Sequence, residues 1–318
     1  MHLGHNAMGF EVDALRAAVA AHGRVIRVVV AEVRGSAPRE VGAAMLVWSG
    51  GQSGTIGGGA LEFEAAEAAQ HLDVPRRLST HSLGPDLGQC CGGSVTLLSE
   101  IYTSEDLARL QGDVIARPIK PEPQPLVVTR LLNAARAQGQ RPQPQMIAGW
   151  MVEPVARPTQ PLWIWGAGHV GRALVQVLSP LPEFEITWVD ALHSKFPERI
   201  PECVTALPAQ EPDRLVPHAP SDAHHLILTY SHQLDLALCH RLLGHGFEFA
   251  GLIGSKTKWA RFRARLSALG HSPEQIARLT CPIGRPELGK HPQAIAIGVA
   301  TELMALSQRL DLKKEHSA

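Results

Sequence analysis

The sequence has no surplus of charge of either sign. Lys and Arg together number 30, as do Asp and Glu, so the formal net charge is zero. Proteins that bind nucleic acid carry a basic face, and the balanced charge argues against that class and against an acidic tail. Charged residues make up 19% of the chain and hydrophobic residues 45%, a composition typical of folded domains rather than disorder.

Cysteines and long apolar runs are also scarce. The five cysteines are an odd number whose spacing fits no disulfide framework for a chain of 318 residues. No stretch approaches the ~18 consecutive apolar residues of a membrane-spanning helix, and the first residues lack a signal-peptide pattern. We therefore expect a protein of the reducing cytoplasm that binds neither membranes nor nucleic acid.

The length and the prolines predict two domains. At roughly 150 residues per domain, two are expected. Nine of the 24 prolines fall within residues 117–161, which indicates a connecting region. We place the boundary near Pro158, which gives domains 1–157 and 158–318.

Hydrophobic patterns predict the fold class as α/β. The first domain is predicted to be mixed α/β, and the second a Rossmann-like, doubly wound parallel sheet, because short apolar runs alternate there with helical patterns. In the first domain we expect helices over residues 11–21, 60–67, 104–115 and 126–136, and strands over residues 25–33, 43–48, 52–56, 76–81, 94–102 and 146–155.

The clearest motif is Gly166-x-Gly168-x-x-Gly171, which follows a short apolar run and opens a helical pattern. The next predicted strand ends at Asp190, 22 residues after Gly168. This is the context of a dinucleotide-binding turn, in which the acid binds ribose hydroxyls and favours NAD over NADP. The alternative is a Rossmann domain that keeps the turn and binds no dinucleotide.

Two more loops follow predicted strands of the second domain. One contains His232, for which a site role competes with a role in a turn or helix cap. The other, residues 251–257, is similar to a phosphate-binding P-loop but has two residues between its glycines instead of four, so we exclude an ATPase. Its Ser255 and Lys256 remain candidates for ligand binding, with a solvated helix face as the alternative.

Two adjacent cysteines lie in a glycine-rich loop, Gln89-Cys90-Cys91-Gly92-Gly93. Adjacent cysteines chelate zinc poorly, because zinc sites prefer two to four intervening residues. At pH 7 only about 3% of an ordinary thiol is thiolate, so binding a soft metal or carrying sulfur requires a lowered pKa. The alternatives are a strained disulfide between the two neighbours and a pair of buried, inert thiols.

A second glycine-rich segment, Gly57-Gly58-Gly59, precedes a strong helical pattern. Backbone N–H groups at a helix start can bind an anion, and Arg39 could add bidentate phosphate contacts. Glu62 would oppose an anion there, so plain turn chemistry is the alternative.

Taken in their order along the chain, these motifs and the segments around them resemble the XdhC/CoxI family of xanthine dehydrogenase accessory proteins. The resemblance covers nearly the whole chain. Residues 33–39, 54–62 and 88–93 match its N-terminal domain, and residues 165–171, 229–235 and 251–258 match its Rossmann domain. Two features depart from the family pattern. The loop 281–289 lacks an expected aspartate, and Tyr230 replaces a smaller polar residue.

The resemblance implies a molybdenum cofactor (molybdopterin) chaperone rather than a turnover enzyme. Such proteins bind and protect the cofactor, assist its sulfuration with a cysteine desulfurase, and deliver it to the molybdenum subunit of xanthine dehydrogenase. By position, Cys90 or Cys91 would contact the metal or its sulfur. The residues implied to shape the pterin and phosphate pocket are Arg39, Gly57, Gly58, Gly59, Glu62 and Gln89. A homodimer is also expected on family grounds, and the Rossmann domain is left to bind NAD(P), another nucleotide, the cofactor itself or nothing.

Two other functions remain open. An NAD-dependent oxidoreductase would use the glycine motif and Asp190, although no Tyr and Lys at helical spacing stand out as a catalytic pair. An interaction module would use the Rossmann domain only to dock partners.

Overall fold

A computed structural model describes residues 9–57, 59–84, 92–158 and 160–315. The chain forms two compact units, an N-terminal unit (Ala7–Arg157) and a C-terminal unit that begins at Pro158. Within the described residues, no helix combines the length and the apolar character needed to cross a membrane.

The N-terminal unit contains four helices and eight strands among its described residues. The helices are α1 (Val12–His22), α2 (Gly59–Gln70), α3 (Ser104–Leu107) and α4 (Leu126–Gln138). The strands are β1 (Val25–Arg34), β2 (Ala44–Trp48), β3 (Gly51–Gly54), β4 (Arg76–Ser82), β5 (Ser94–Tyr102), β6 (Val114–Pro118), β7 (Gln145–Ile147) and β8 (Trp150–Pro154).

These strands form two antiparallel sheets. The larger sheet has the order β3-β2-β1-β5-β4, and the smaller one has the order β6-β8-β7. β1 is central and almost wholly buried, as its run of β-branched residues predicts. One face of the larger sheet packs against α2, whose Leu61, Ala65 and Ala69 join Val28 and Val30 in one core.

Two predictions for this unit are wrong. The helix predicted over residues 104–115 stops at Leu107, and the chain turns at Gly112 (φ +88°) into β6, where Ile115 pairs with Glu153 of β8. The single strand predicted over residues 146–155 is a hairpin, because Ala148 and Gly149 both adopt positive φ between β7 and β8. In the first place pairing with β8 outweighs helix propensity, and in the second a tight turn divides the predicted strand.

A buried charge network joins the two sheets. Arg27 of β1 donates to both carboxylate oxygens of Glu153, at 3.0 and 2.8 Å. Arg117 of β6 donates to Glu153 and, at 2.9 Å, to Glu100 of β5. All four residues are at most 4% exposed, and the ring of Phe10 lies 4.3 Å from the Arg27 guanidinium and 4.7 Å from that of Arg117.

The Glu153 carboxylate is held in its charged form by its neighbours. Burial alone would raise its pKa, but the charges and hydrogen bonds of Arg27 and Arg117 lower the pKa below its usual value. Removing one partner of such a buried pair leaves an uncompensated charge in the core.

The C-terminal unit has a parallel sheet flanked by helices. Its strands are β9 (Gln160–Trp165), β10 (Phe184–Asp190), β11 (Val204–Pro208), β12 (His224–Ile227), β13 (Phe249–Leu252) and β14 (Leu279–Thr280). Its α-helices are α5 (His169–Leu178), α6 (His232–His245), α7 (Lys256–Ala268), α8 (Pro273–Ala277) and α9 (Pro292–Glu315), and short 3-10 turns occur at His193–Lys195, Pro212–His218 and Pro286–Leu288.

All six strands are parallel, in the order β11-β10-β9-β12-β13-β14. This is the strand order of a doubly wound Rossmann fold, so the predicted fold class is confirmed. Helices α5 and α9 contribute to one apolar core on the sheet, and α6 and α7 contribute to the other.

Two neighbouring histidines of β12 are fully buried in this sheet. His225 accepts a hydrogen bond from Trp165 Nε1 at 3.2 Å, and neither ring nitrogen of His224 has a hydrogen-bond partner within the described structure. Burial lowers the pKa of His224 to about 4 and that of His225 to about 3. Both imidazoles are therefore neutral in the folded protein at pH 7.

We predict that Glu153→Gln lowers the free energy of unfolding by roughly 3–5 kcal/mol, because Arg27 and Arg117 lose their shared counter-charge inside the core. Urea denaturation at pH 7 measures this change. Asp13→Asn, which breaks only the exposed Asp13–Arg16 pair, is the control and should change the free energy by less than ~0.5 kcal/mol. Equal effects of the two substitutions would contradict the role of the buried network.

We also predict that stability falls as the pH drops below about 6.5. The unfolded histidines gain protons below that value, whereas folded His224 and His225 resist protonation until their lower pKa values are reached, about 4 and 3. Each histidine contributes a slope on the order of 1.4 kcal/mol per pH unit within this window. Urea denaturation between pH 7.5 and 5 measures the slope, and the double variant His224→Gln/His225→Gln should flatten it. An unchanged slope in the double variant would contradict the assignment.

Candidate functional site

The sheet of the C-terminal unit has a switch point between β9 and β12, where the strand order reverses. Open α/β sheets bind ligands at the carboxyl ends of their strands at such a point. A pocket of about 240 Å³ lies there. Its lining residues come from the loops after the strands and from the start of α5, and they are Gly166, Gly168, His169, Val170, Asp190, Lys195, Leu228, Thr229, Tyr230 and Ile253.

The three glycines of the motif serve different purposes. A Cβ on Gly166 (φ +124°) would lie 2.5 Å from the Leu228 carbonyl oxygen, and one on Gly171 would lie 2.0 Å from the Gly166 oxygen. These two glycines therefore let α5 and the ends of β9 and β12 approach closely. A Cβ on Gly168 would meet nothing within 4 Å, so this position leaves room for a ligand beside the backbone.

The N-terminus of α5 is open. Gly168 is its N-cap residue, and no side chain of the described structure caps it. The first N–H groups of a helix lack partners within the helix and carry partial positive charge, which suits a phosphate. An uncapped start beside a pocket fits the dinucleotide-binding prediction.

Asp190 lies where the sequence predicts it, at the end of β10 and in the pocket wall. Its carboxylate already accepts two backbone hydrogen bonds, from the Ala167 N–H at 2.7 Å and from the Leu192 N–H at 3.1 Å. Asp190 is 7% exposed. The residue thus ties the glycine turn to the loop after β10, a structural role that the motif alone does not reveal.

A second carboxylate fixes the loops after β12 and β13. Asp235, buried in α6, accepts hydrogen bonds from the N–H and hydroxyl of Thr229, at 3.0 and 2.7 Å. The Lys258 ammonium donates to Asp235 at 2.6 Å and to the Ile253 carbonyl at 2.9 Å. Sequence reasoning singled out Lys256 and missed Lys258. One signal in the sequence was available. Ser255 is a typical N-cap residue, and Lys258 is the third residue of the helix that it caps, at the end of the loop after β13.

Neither His232 nor Ser255 is among the residues that line this pocket. His232 is the exposed first residue of α6, and Ser231 rather than His232 caps that helix. Ser255 caps α7 by accepting the Lys258 N–H at 3.1 Å. Their roles in ligand binding stay predictions, whereas Tyr230, which is 74% exposed, does line the pocket.

In the N-terminal unit, Glu62 holds the loop that leads into α2. Its carboxylate accepts the N–H groups of Ile56 and Gly57, at 2.9 and 3.0 Å, and also the Thr55 hydroxyl. The Gly57 N–H is therefore engaged by the protein itself. A Cβ on Gly57 would lie 2.3 Å from Arg39 Cγ, so Arg39 packs directly on this loop, with its guanidinium 3.2 Å from Glu40.

The structure describes only one of the other residues predicted to contact the molybdenum cofactor. Gly59 begins α2, and a Cβ there would meet nothing within 4 Å. Gly58, Gln89, Cys90 and Cys91 lie outside the described residues. The proposed thiol contact to a metal and the loop around it stay predictions from the sequence.

The three described cysteines are free thiols in the C-terminal unit. Burial raises the pKa of Cys281 to about 11 and that of Cys239 well above its usual value, so both remain protonated at pH 7. Among the described residues, no group of three His, Cys, Asp or Glu side chains could hold a metal ion.

The atypical loop 281–289 is anchored to α9. The Gly284 N–H donates to the Glu302 carboxylate at 2.7 Å. Gly298 of α9 leaves space for the backbone of Arg285, since a Cβ there would lie 2.8 Å from the Arg285 nitrogen. The loop therefore has a structural anchor without the aspartate that the family pattern predicts.

These features define the C-terminal unit as a Rossmann-type domain with a ligand pocket at its switch point. The XdhC Rossmann domain model matches residues 162–303, and the XdhC and CoxI family model matches residues 18–79. Together the two matches cover more than half of the chain, in the order that the sequence motifs predict. The chain belongs to the XdhC and CoxI family.

One curated relative and one solved structure place the chain further. The uncharacterized protein YqeB of Escherichia coli (strain K12) is 25% identical over 282 residues, which are 86% of this chain and 42% of YqeB. The chain therefore spans less than half of that relative. A crystal structure of a xanthine dehydrogenase from Bacillus halodurans shares the fold, with a TM-score of 0.71 and 21% identity over 93% of this chain and 95% of that chain.

We predict that two glycine substitutions lower the free energy of unfolding to different extents. Gly171→Ala should lower the free energy of unfolding by roughly 1–3 kcal/mol, because its Cβ overlaps the Gly166 carbonyl. Gly168→Ala should lower it by less than ~1 kcal/mol, because the added methyl group meets no protein atom and only the preference for glycine over alanine at the N-cap is lost. Urea denaturation of the two variants measures both values, and a destabilisation by Gly168→Ala that matches Gly171→Ala would contradict this division of roles.

Proposed function

We propose that the protein is a maturation factor for a molybdenum hydroxylase of the xanthine dehydrogenase type. It binds molybdenum cofactor as cargo, assists its sulfuration together with a cysteine desulfurase, and delivers it to the molybdenum subunit of the target enzyme. It acts as a homodimer and turns over no substrate of its own. The observation that carries this proposal is membership in the XdhC and CoxI family, with both family domains in one chain.

The chemistry of the cargo sets what the N-terminal unit must supply. Molybdopterin is an anionic pterin with a phosphate and a dithiolene, and it is sensitive to water and oxygen. A holder needs backbone N–H donors for the phosphate, a soft group near the metal and a cleft that excludes water. We assign the soft group to Cys90 or Cys91 and a neighbouring contact to Gln89.

The described part of this unit supports a phosphate-binding role for the loop before α2, with one restriction. Gly58 and Gly59 supply N–H donors in this assignment, and Arg39, which packs on Gly57 and pairs with Glu40, supplies positive charge. The Gly57 N–H is bound to Glu62, so Glu62 shapes the loop rather than touching the anion. The negative charge of the Glu62 carboxylate is partly offset by the N–H groups that donate hydrogen bonds to it.

The C-terminal unit, in this proposal, binds a nucleotide such as NAD(P). The space beside Gly168, the uncapped start of α5 and the pocket at the switch point support this assignment. Gly166 and Gly171 shape the turn, and Asp190 lies at the ribose side. When bound, the nucleotide places its phosphates at the N-terminus of α5.

We predict that the protein purified anaerobically, from cells that make molybdenum cofactor, contains near-stoichiometric molybdenum and pterin. The double variant Cys90→Ala/Cys91→Ala should retain at least tenfold less of both, because it lacks the soft contact to the metal. Metal analysis and the fluorescence of oxidised pterin measure the two components. Cys203→Ala is the matched control, since Cys203 is an exposed thiol of the other unit.

Two outcomes would contradict this proposal. Folded wild-type protein that carries neither molybdenum nor pterin would remove the cargo-binding function. Full retention of both by the double cysteine variant would remove the thiol contact and leave the binding function to other residues.

A further inference from the structure

We infer that the switch-point pocket selects a nucleotide whose ribose carries a 2′-phosphate, and that Lys195 is the residue that determines this specificity. The inference rests on the proposed binding of a nucleotide in the C-terminal unit. It reverses the preference for unphosphorylated ribose that the position of Asp190 suggests in the sequence.

The Asp190 carboxylate is already engaged by backbone N–H groups. In sites that prefer a free ribose, an acid at the end of the second strand accepts hydrogen bonds from the ribose hydroxyls. Here each carboxylate oxygen already accepts a backbone N–H, from Ala167 and from Leu192, and the residue is almost fully buried. These two N–H donors also offset its negative charge.

Lys195 lies in the wall of the same pocket as Asp190. It is the last residue of the short 3-10 turn after β10, it is exposed, and it lines the pocket together with Asp190. No carboxylate of the described chain forms an ion pair with it. Its ammonium is therefore available for an anion on the ribose side of the pocket.

The turn bearing Lys195 is fixed to α5, the helix that follows the glycine motif. Arg172 of α5 donates a hydrogen bond to the Lys195 carbonyl oxygen at 2.6 Å. Arg172 itself forms no ion pair with a described carboxylate, so its side chain is engaged here by the backbone of the Lys195 turn. We assign Arg172 as a positioning residue that acts through Lys195.

The balance of charge decides between the two kinds of ribose. The titratable side chains of the pocket wall are His169, Asp190, Lys195 and Tyr230. With the Asp190 carboxylate bound to two N–H groups, the unpaired Lys195 and the N-terminus of α5 make the pocket attractive to anions. A 2′-phosphate uses the ammonium in a charge-assisted hydrogen bond, whereas a hydroxyl gains little from it.

The test compares 5′-AMP with 2′,5′-ADP by isothermal titration calorimetry on the full chain. These probes differ only in the 2′-phosphate, and both place a 5′-phosphate at α5. We expect 2′,5′-ADP to bind at least about tenfold more tightly than 5′-AMP. Lys195→Gln should reduce this advantage to less than about threefold and weaken 5′-AMP by a much smaller factor than 2′,5′-ADP, because the contact to the 2′-phosphate is lost whereas 5′-AMP loses only the general attraction of the ammonium.

Two further variants separate specificity from general charge. Arg172→Gln should reduce the advantage of 2′,5′-ADP by a smaller factor than Lys195→Gln, because the turn loses one anchor while the ammonium remains. Lys290→Gln removes one positive charge from the exposed segment before α9, outside the residues that line the pocket, and should leave the ratio of the two affinities unchanged.

The outcomes distinguish this inference from the function on which it rests. Equal affinity of the wild type for the two probes overturns the inference and leaves nucleotide binding intact. Persistence of the full advantage in Lys195→Gln overturns the assignment of Lys195. Failure of the folded wild type to bind either probe overturns the proposed nucleotide binding as well.

Discussion

The C-terminal unit depends on the close approach of α5 to the ends of β9 and β12. Gly166 and Gly171 allow it, since a Cβ at either position would overlap a carbonyl oxygen. Two buried carboxylates then fix the loops that leave those strands. Asp190 binds the glycine turn and the loop after β10, while Asp235 binds the loop after β12 and the ammonium of Lys258. The pocket is thus built on a rigid frame, which is what a site for a phosphate-bearing ligand requires.

The N-terminal unit uses carboxylates in the same way. Glu62 binds backbone N–H groups of the loop before α2, and Glu153 holds together arginines from the two sheets. An acid in a glycine-rich loop is easily interpreted as a ligand-binding group. Here Glu62 and Asp190 are engaged by backbone N–H groups of the protein, so our proposals assign anion contacts to other groups of the two sites.

Local patterns account for what the sequence could predict. The alternation of apolar runs and helical patterns is enough for the Rossmann fold, and α5 begins within the glycine motif, as the motif predicts. Contacts between distant residues could not be predicted. Arg27 and Glu153 are 126 positions apart in the sequence. Lys258 and Asp235 lie on different helices, α7 and α6, so their contact depends on how the two helices pack on the sheet. The partners of Asp190 depend on the backbone geometry of the glycine turn. The residues assigned to the metal, Cys90 and Cys91, rest on family resemblance.

We propose that this chain hands molybdenum cofactor to a partner enzyme, and transfer of the cofactor tests this function most directly. Loaded protein would be mixed with xanthine dehydrogenase that lacks molybdenum, under anaerobic conditions, and xanthine oxidation followed over time. We predict that activity rises in proportion to the loaded protein and exceeds what an equal amount of free cofactor restores. A loaded protein that keeps its molybdenum and restores no activity would contradict the claim.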